Sequence, residues 1–364
     1  MRVELSVERT HAPKAKPGKG ADLPFGSIFT DHMLIMDYDT ENGWHNARIE
    51  PFGPIMMHPG STVLHYGAGA FEGMKAYRKA DGSCQLFRPS ENAKRMEKSI
   101  DRLCLPHLDA DIILELIERF VAFEQDWVPS DNGTALYVRP FMIGCDEPIG
   151  LHGINKAKFM IITCPVGNYY KEGIKPVKIA IEEKDVRAIR GGTGDCKVGG
   201  NYAASNRAEQ EAEHNGFTQV LWLDGVHRKY IEEVGSMNVM FKINGEIITP
   251  MLTGSVLPGI TRKSAIEYLN SKGISVTERL ITVDEVVEAV KEGTLEEAWG
   301  TGTAAVVSPI GILHYDGVDY HINNNDIGPV CSDIYEGLTG IQWGRTADPF
   351  GWTVPVMSKE EAIG

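Results

Sequence analysis

The run Gly191-Gly192-Thr193-Gly194-Asp195-Cys196-Lys197-Val198-Gly199-Gly200-Asn201-Tyr202 gathers five glycines around one lysine. Glycine at that density marks backbone that turns tightly or is closely approached. A lysine held there has two kinds of chemistry open to it. Charged, it is a point cation for phosphate; neutral, it is a nucleophile that forms a reversible imine with a carbonyl. The phosphate-loop pattern places Ser or Thr directly after Gly-Lys, whereas Val198 follows Lys197. Nor does the spacing give a GxGxxG fingerprint opening a helix after a strand. Taken alone, the segment also fits a glycine-rich turn with a solvated lysine.

Other segments carry residues of complementary chemistry. Two adjacent carboxylates, Glu232 and Glu233, stand in Tyr230-Ile231-Glu232-Glu233-Val234-Gly235-Ser236-Met237-Asn238. On a strand, neighbours face opposite sides, so at most one of them serves a given site. Leu257-Pro258-Gly259-Ile260-Thr261-Arg262 opens an expected helix, and a helix N-terminus offers free N–H groups and a positive dipole end to an anion. Gly300-Thr301-Gly302-Thr303-Ala304-Ala305 is a second small-residue turn. Upstream lie Arg95 and Leu136-Tyr137-Val138-Arg139-Pro140. By itself Arg95 reads as an ordinary exposed helix arginine.

The elements that must position these residues are partly visible in the periodicity. Ser90 reads as an N-cap before Ala93, Met96, Ile100 and Leu103 at helical spacing. Asp109 or Asp111 opens a second helix with Ile112, Ile113, Leu116, Ile117, Phe120 and Val121 on its apolar face. Strands are expected at Thr134–Val138, Phe159–Cys164 and Val177–Ile181. Asp224-Gly225 and Asn244-Gly245, each between β-prone runs, read as hairpin turns. Thr282 and Glu285 form a capping box before Val283, Val286, Val287 and Val290, and Gly293 stops that helix. A last helix carries Val330, Ile334, Leu338 and Ile341. The fold class expected is α+β, with a flexible N-terminal arm at 1–20, a small N-terminal domain at 21–166, an interdomain linker at 167–176 and a large, strand-rich C-terminal domain at 177–364.

Composition bounds the function. With 36 basic against 50 acidic residues the chain carries a net charge of −14, a surface that repels nucleic acid and anionic lipid. No stretch approaches the roughly 18 apolar residues of a membrane span. Residues 1–20 lack the apolar core of a secretory signal, and Glu4 and Glu8 argue against a transit peptide. The six cysteines form no CxxC pair, so zinc-ribbon and thioredoxin-like readings fail, no metal site is expected, and scattered thiols suit a reducing cytoplasm.

Together with Phe29-Thr30-Asp31-His32-Met33, Phe71-Glu72-Gly73-Met74-Lys75-Ala76 and Leu86-Phe87-Arg88-Pro89, these segments resemble the branched-chain amino acid aminotransferases, pyridoxal-phosphate enzymes of fold type IV. The resemblance runs from about Phe25-Gly26 to Gly351-Trp352, nearly the whole chain. It implies the fold-type IV architecture, with a smaller α/β N-terminal and a larger C-terminal domain and pyridoxal 5′-phosphate at their interface. It implies a homodimer and ping-pong transamination of leucine, isoleucine or valine with 2-oxoglutarate, giving 2-oxo acids and L-glutamate. The family pattern assigns Lys197 as the imine-forming lysine and proton shuttle, Glu233 rather than Glu232 as the acid behind the pyridine nitrogen, and Tyr202 as partner of the ring hydroxyl. Arg95, Ile260, Thr261, Thr303 and Ser236 are then the phosphate and cofactor contacts. Phe25, Tyr66, Phe71, Tyr137 and Tyr169 match the side-chain pocket, Arg139 the binder of the distal carboxylate of glutamate, and Thr303-Ala304 the turn for the α-carboxylate. Ile149 and Leu151 match a loop reaching the neighbouring subunit's pocket.

Some relatives carry a redox CxxC after the Thr-Ala turn; Ala305 and Ser308 stand there, so thiol switching of that kind is not expected, and Cys196 has no assigned role. The alternatives are a D-amino acid aminotransferase or another fold-type IV enzyme, such as an aminodeoxychorismate lyase, and a non-enzymatic binder of phosphate ligands.

Overall fold

The computed structural model describes residues 2–167 and 174–364. Two compact units emerge, and neither follows one stretch of chain. The first joins Met1–Asn168, Cys196–Gly199 and Ile341–Gly364; the second joins Tyr169–Asp195 and Gly200–Gly340. The lysine-bearing tetrapeptide therefore groups with the first unit, although its neighbours on both sides group with the second.

In the first unit the strands are β1 (Ser6–Val7), β2 (His32–Asp39), β3 (Gly43–Pro51), β4 (Gly69–Phe71), β5 (Met74–Arg78), β6 (Cys84–Phe87), β7 (Ala135–Gly144) and β8 (Lys156–Val166). The C-terminal Thr353–Pro355 completes a nine-stranded sheet in the order β1-β3-β2-β8-β7-β5-β6-C-terminal strand, with β4 paired to β7. The start of the chain, expected as a flexible arm, contributes β1, paired parallel with β3 at Arg48 and Ile49. Four α-helices lie here among the described residues: α1 (Thr62–Tyr66), α2 (Pro89–Arg102), α3 (Ala110–Phe123) and a short C-terminal helix (Lys359–Ile363). Met96 and Ile100 of α2 and Ile113, Leu116, Ile117 and Phe120 of α3 are fully buried in one core with Leu34, Leu136, Val138 and Phe159 of the sheet. Met33, Ile35 and Met160 alternate with these and bury against the opposite face with Phe141 and Ile162.

Cap residues differ from expectation at α2. Arg88 is the N-cap, in the left-handed region at φ 50°, and Pro89 is the first helical residue, so Ser90 already lies inside. Proline's fixed φ and missing N–H suit that first position, where the N–H has no helical partner. Asp109 is the N-cap of α3.

The second unit begins with β9 (Val177–Ile181) and α4 (Gly199–His214), continues through β10 (Gln219–Leu223), β11 (Ile231–Val234), β12 (Met237–Ile243) and β13 (Glu246–Pro250), and then α5 (Ile260–Ser271), β14 (Val276–Arg279) and α6 (Val283–Lys291). It ends with β15 (Leu295–Gly302), β16 (Val306–Tyr315), β17 (Val318–His321) and α7 (Pro329–Gln342). The strand order is β11-β10-β9-β16-β15-β12-β13-β14, and β11 also pairs with β12. That additional pairing closes six strands into a ring.

Asn244 (φ 50°) and Gly245 (φ 79°) make the two-residue hairpin β12–β13; both central residues take the positive φ that Asn-Gly tolerates. The β10–β11 connection is longer than the tight turn expected at Asp224-Gly225. Asp224 accepts N–H bonds from Val226, His227, Lys229 and Tyr230, which, outweighing burial, hold its carboxyl down at about 2. Thr282 caps α6 by accepting the Glu285 N–H, while the Glu285 side chain pairs with Arg279 instead of closing the box. None of the six cysteines is joined in a disulfide.

Candidate functional site

The candidate residues fall into two groups, one in each unit. In the first unit, backbone bonds stitch the lysine segment into the sheet and α2. Phe71 N–H donates to the Lys197 carbonyl at 3.0 Å, Lys197 N–H donates to Ser99 Oγ at 2.9 Å, and Val198 bridges to Ala70. Ser99 Oγ in turn donates to the Arg95 carbonyl at 3.0 Å, so the lysine backbone and the arginine helix share one hydroxyl.

The Lys197 amine lies 4.9 Å from the centre of the Phe71 ring. Arg95 is buried, and its guanidinium meets Glu72, which has no exposed surface, at 2.7 Å. The residue Lys197 is half-buried overall, but its amine is withdrawn from solvent. That withdrawal, helped by the charges of Arg95 and Arg139 and opposed by Glu72 and Tyr137, lowers its proton affinity to about 8. A lysine in that state has a substantial neutral fraction near neutral pH, as imine formation and proton abstraction both demand.

Aromatic residues line the same region. Phe25 meets Tyr137 edge-to-face at 4.8 Å, Arg139 lies over the Phe71 ring at 4.8 Å, and its terminal nitrogen donates to Tyr137 Oη at 3.0 Å. Arg139 Nε is buried with no hydrogen-bond partner. Phe25, Phe71, Tyr137, Arg139, Arg95 and Lys197 are therefore brought together. Tyr66 is half exposed on α1, against His65, and Ile149 and Leu151 stand 72% and 89% exposed. Tyr169 lies outside the described residues.

In the second unit the two adjacent carboxylates separate as strand geometry requires. Glu233 Oε1 accepts the Leu257 N–H at 2.6 Å, and its Oε2 lies 3.1 Å from Arg187 Nε. Glu232 instead accepts the Ser255 hydroxyl, and burial pushes its carboxyl up. Arg187 also donates to the carbonyls of Gly194 and Ser255, which ties the glycine-rich loop to the carboxylate strand. A Cβ at Gly194 would fall 2.2 Å from the Ser255 oxygen, so only glycine fits that crossing.

Glu233 pairs across the β11–β12 hairpin with Asn238, and exposed Ser236 sits in the turn. Asn238 Nδ2 donates to the Leu257 carbonyl at 2.9 Å, next to Gly259, the N-cap of α5. A Cβ on Gly259 would lie 1.8 Å from Asn238 Oδ1. Ile260 and Thr261 begin the helix and are buried. Thr303 and Ala304 form the β15–β16 turn, which ends on Val306 at φ 64°, a conformation a β-branched residue adopts only when held there. Tyr202, half-buried, lies in the first turn of α4, and the loop before it is stapled by reciprocal Thr193–Asn201 bonds of 2.8 Å.

Sequence reasoning did not single out Ser99, Asn92 or Arg187. Arg187 precedes the glycine-rich run by four residues and carried no motif, so only the folded ring reveals its pairing. Each unit by itself offers groups that suit pyridoxal phosphate: in the first, an amine of lowered basicity and a buried arginine; in the second, a buried carboxylate held by backbone and guanidinium and a helix N-terminus at a glycine where a side chain has no room.

Residues 69–312 match the family model described as amino-transferase class IV. The chain is 52% identical to branched-chain-amino-acid aminotransferase 2 of Bacillus subtilis over 98% of each chain, and 48% identical to branched-chain-amino-acid transaminase 1 of the same organism over 97% of this chain and 99% of the relative. Among solved structures it is similar to the Escherichia coli branched-chain amino acid aminotransferase, with TM-score 0.76 and 25% identity, covering 90% of this chain and 99% of that one. It is also similar to a T.th. branched-chain amino acid aminotransferase with pyridoxamine 5′-phosphate, with TM-score 0.73 and 26% identity over 89% and 98%. Matches that run almost end to end, at such identity, place this chain in the branched-chain amino acid aminotransferase family, within the class IV aminotransferases.

Proposed function

We infer that this enzyme transfers the amino group of leucine, isoleucine or valine to 2-oxoglutarate, releasing the branched-chain 2-oxo acid and L-glutamate in two half-reactions, with pyridoxal 5′-phosphate as cofactor. The observation that carries the reading is the Lys197 amine, withdrawn from water beside Arg95 with its basicity lowered to about 8. The bound cofactor supplies an aldehyde and an electron-withdrawing ring. The residues supply the rest. Lys197 Nζ takes the proton from the substrate Cα, Glu233 keeps a negative charge for a ring nitrogen, and Tyr202 offers its hydroxyl to the ring oxygen. Arg95, Ser236, Thr303 and the N-terminal N–H groups of Ile260 and Thr261 answer a phosphate.

Phe25, Tyr66, Phe71, Tyr137 and Tyr169 are assigned to the branched side chain, and the Thr303-Ala304 turn to the α-carboxylate. Arg139, with its buried Nε unmatched, is the group for the distal carboxylate of the second substrate. Exposed Ile149 and Leu151 support a second copy of the chain covering that loop. No helix among the described residues is long and apolar enough to cross a membrane, and a cytoplasmic location is proposed, none of the cysteines being joined in a disulfide.

The test is a glutamate-release assay with 2-oxoglutarate against L- and D-leucine. L-leucine alone should be a substrate; turnover of D-leucine in its place would favour a D-amino acid aminotransferase. Arg139→Met should raise KM for 2-oxoglutarate at least about tenfold while sparing L-leucine more, since a charge-assisted carboxylate contact is lost.

A further inference from the structure

Glu72, in the turn between β4 and β5, is the most completely enclosed charge in the first unit's candidate region. Its Oε1 accepts Arg95 Nε at 2.7 Å. Its Oε2 accepts the Arg95 terminal nitrogen at 3.0 Å, Asn92 Nδ2 at 2.8 Å and Gly73 N–H at 3.0 Å. Its own N–H donates to the Pro140 carbonyl at 2.7 Å. Burial alone would push this carboxyl up, yet Arg95, Lys197 and Asn92 together bring it below the ordinary range, so it stays anionic. Its two chain neighbours serve the same region: Phe71 carries the Lys197 amine over its ring, and Gly73 lies against the Tyr137 hydroxyl.

We propose that Glu72 is a positioning residue for the cofactor site, fixing the Arg95 guanidinium by a two-point contact and holding a permanent negative charge within reach of the Lys197 amine. The inference rests on the reading of Arg95 and Lys197 as phosphate-binding and imine-forming groups. A guanidinium gripped through Nε and one terminal nitrogen cannot rotate about its long axis, so its remaining edge keeps one direction. The groups facing the Lys197 amine are Arg95 from α2, Arg139 and Tyr137 from β7, and Glu72 from the β4–β5 turn. Arg95 and Arg139 drive its proton off; Glu72 and Tyr137 retain it. Neutralising Glu72 leaves the two arginines opposed by Tyr137 alone among these groups.

The decisive experiment uses trace acetic anhydride labelling of the cofactor-free full chain across pH 5–10, with peptide mass mapping of Lys197, alongside affinities for pyridoxal phosphate and phosphate-free pyridoxal. Glu72→Gln should raise the neutral fraction of Lys197 about fivefold at pH 7, from about a tenth to about half, because removing one close opposite charge lowers its proton affinity about tenfold. Glu72→Asp keeps the charge but draws the carboxylate back; it should leave the Lys197 titration near that of the wild type while cutting the preference for pyridoxal phosphate over pyridoxal about tenfold. A merely structural role predicts no such separation. An unchanged Lys197 titration in Glu72→Gln, or an unchanged phosphate preference in Glu72→Asp, overturns the proposal. If Glu72→Gln loses its far-ultraviolet circular dichroism, the Glu72→Asp pair of measurements decides alone. Failure of the wild type to bind pyridoxal phosphate would sink the cofactor reading instead, and the labelling shift, measured without cofactor, would still settle the effect of Glu72 on Lys197.

Discussion

Arg187 and Glu233 meet at 3.1 Å, guanidinium Nε to carboxylate Oε2, with both side chains almost wholly withdrawn from solvent. Glu232, next along β11, is buried as well and feels the same guanidinium. One arginine therefore compensates two enclosed carboxylates on opposite sides of a strand.

Removing that arginine strands both charges. Arg187→Met should destabilise the protein by about 3–5 kcal/mol, the usual cost of orphaning one side of a buried ion pair. Urea denaturation at neutral pH checks this. A loss below about 1 kcal/mol would mean that the backbone N–H of Leu257 and the Ser255 hydroxyl suffice to hold the two acids.

Lys75, buried in β5, carries a separate pH signature. Burial lowers its proton affinity to about 8, well under the ordinary lysine value. Between about pH 8 and 10.5 the unfolded chain holds a proton here that the folded chain has released, so stability rises with pH across that window. Below it, the folded state bears the full cost of enclosing the charge. Lys75→Met should accordingly stabilise the protein at pH 7 by up to about 3 kcal/mol, with the advantage shrinking towards pH 10. Denaturation midpoints of the two proteins at pH 7 and pH 10 measure the difference; an advantage that grows with pH contradicts the assignment.

Gly73 sets the space for the aromatic pocket. A Cβ there would lie 2.0 Å from Tyr137 Oη and 2.9 Å from its ring carbon. Gly73→Ala must push Tyr137 aside and with it the Arg139 bond, at about 1–3 kcal/mol of overpacking. Steady-state kinetics should show KM for L-leucine raised about tenfold, equivalent to about 1.4 kcal/mol of binding, with a smaller change in kcat. An unaltered KM would remove Tyr137 from the substrate pocket.

How much of this was legible from sequence depended on range. Helix α3, strand β9, the cap at Thr282 and the Asn244-Gly245 hairpin were readable because each is specified by residues a few positions apart. Arg88 displaced Ser90 as the α2 cap because Pro89 supplies a ready-made first helical residue, a local signal that outranks the serine hydroxyl. Distant pairings were another matter. No periodicity announces that β11 pairs with both β10 and β12, and that closure is what sets Glu233 in its place beside β12. Strand alternation separated Glu232 from Glu233 but could not say which neighbour each would find. Glu72–Arg95 and Arg187–Glu233 are contacts between segments far apart in the chain, and only the folded units reveal them.

Lys197 is proposed to carry the cofactor and to move the proton. Borohydride reduction of the protein loaded with pyridoxal phosphate, followed by peptide mapping, should place one pyridoxyl group on the peptide containing Lys197. The Lys197→Ala protein should carry none and lose at least about 10³-fold of its L-leucine turnover, within the range for a removed general base. A pyridoxyl group mapped to another lysine, or turnover retained in Lys197→Ala, would contradict the account.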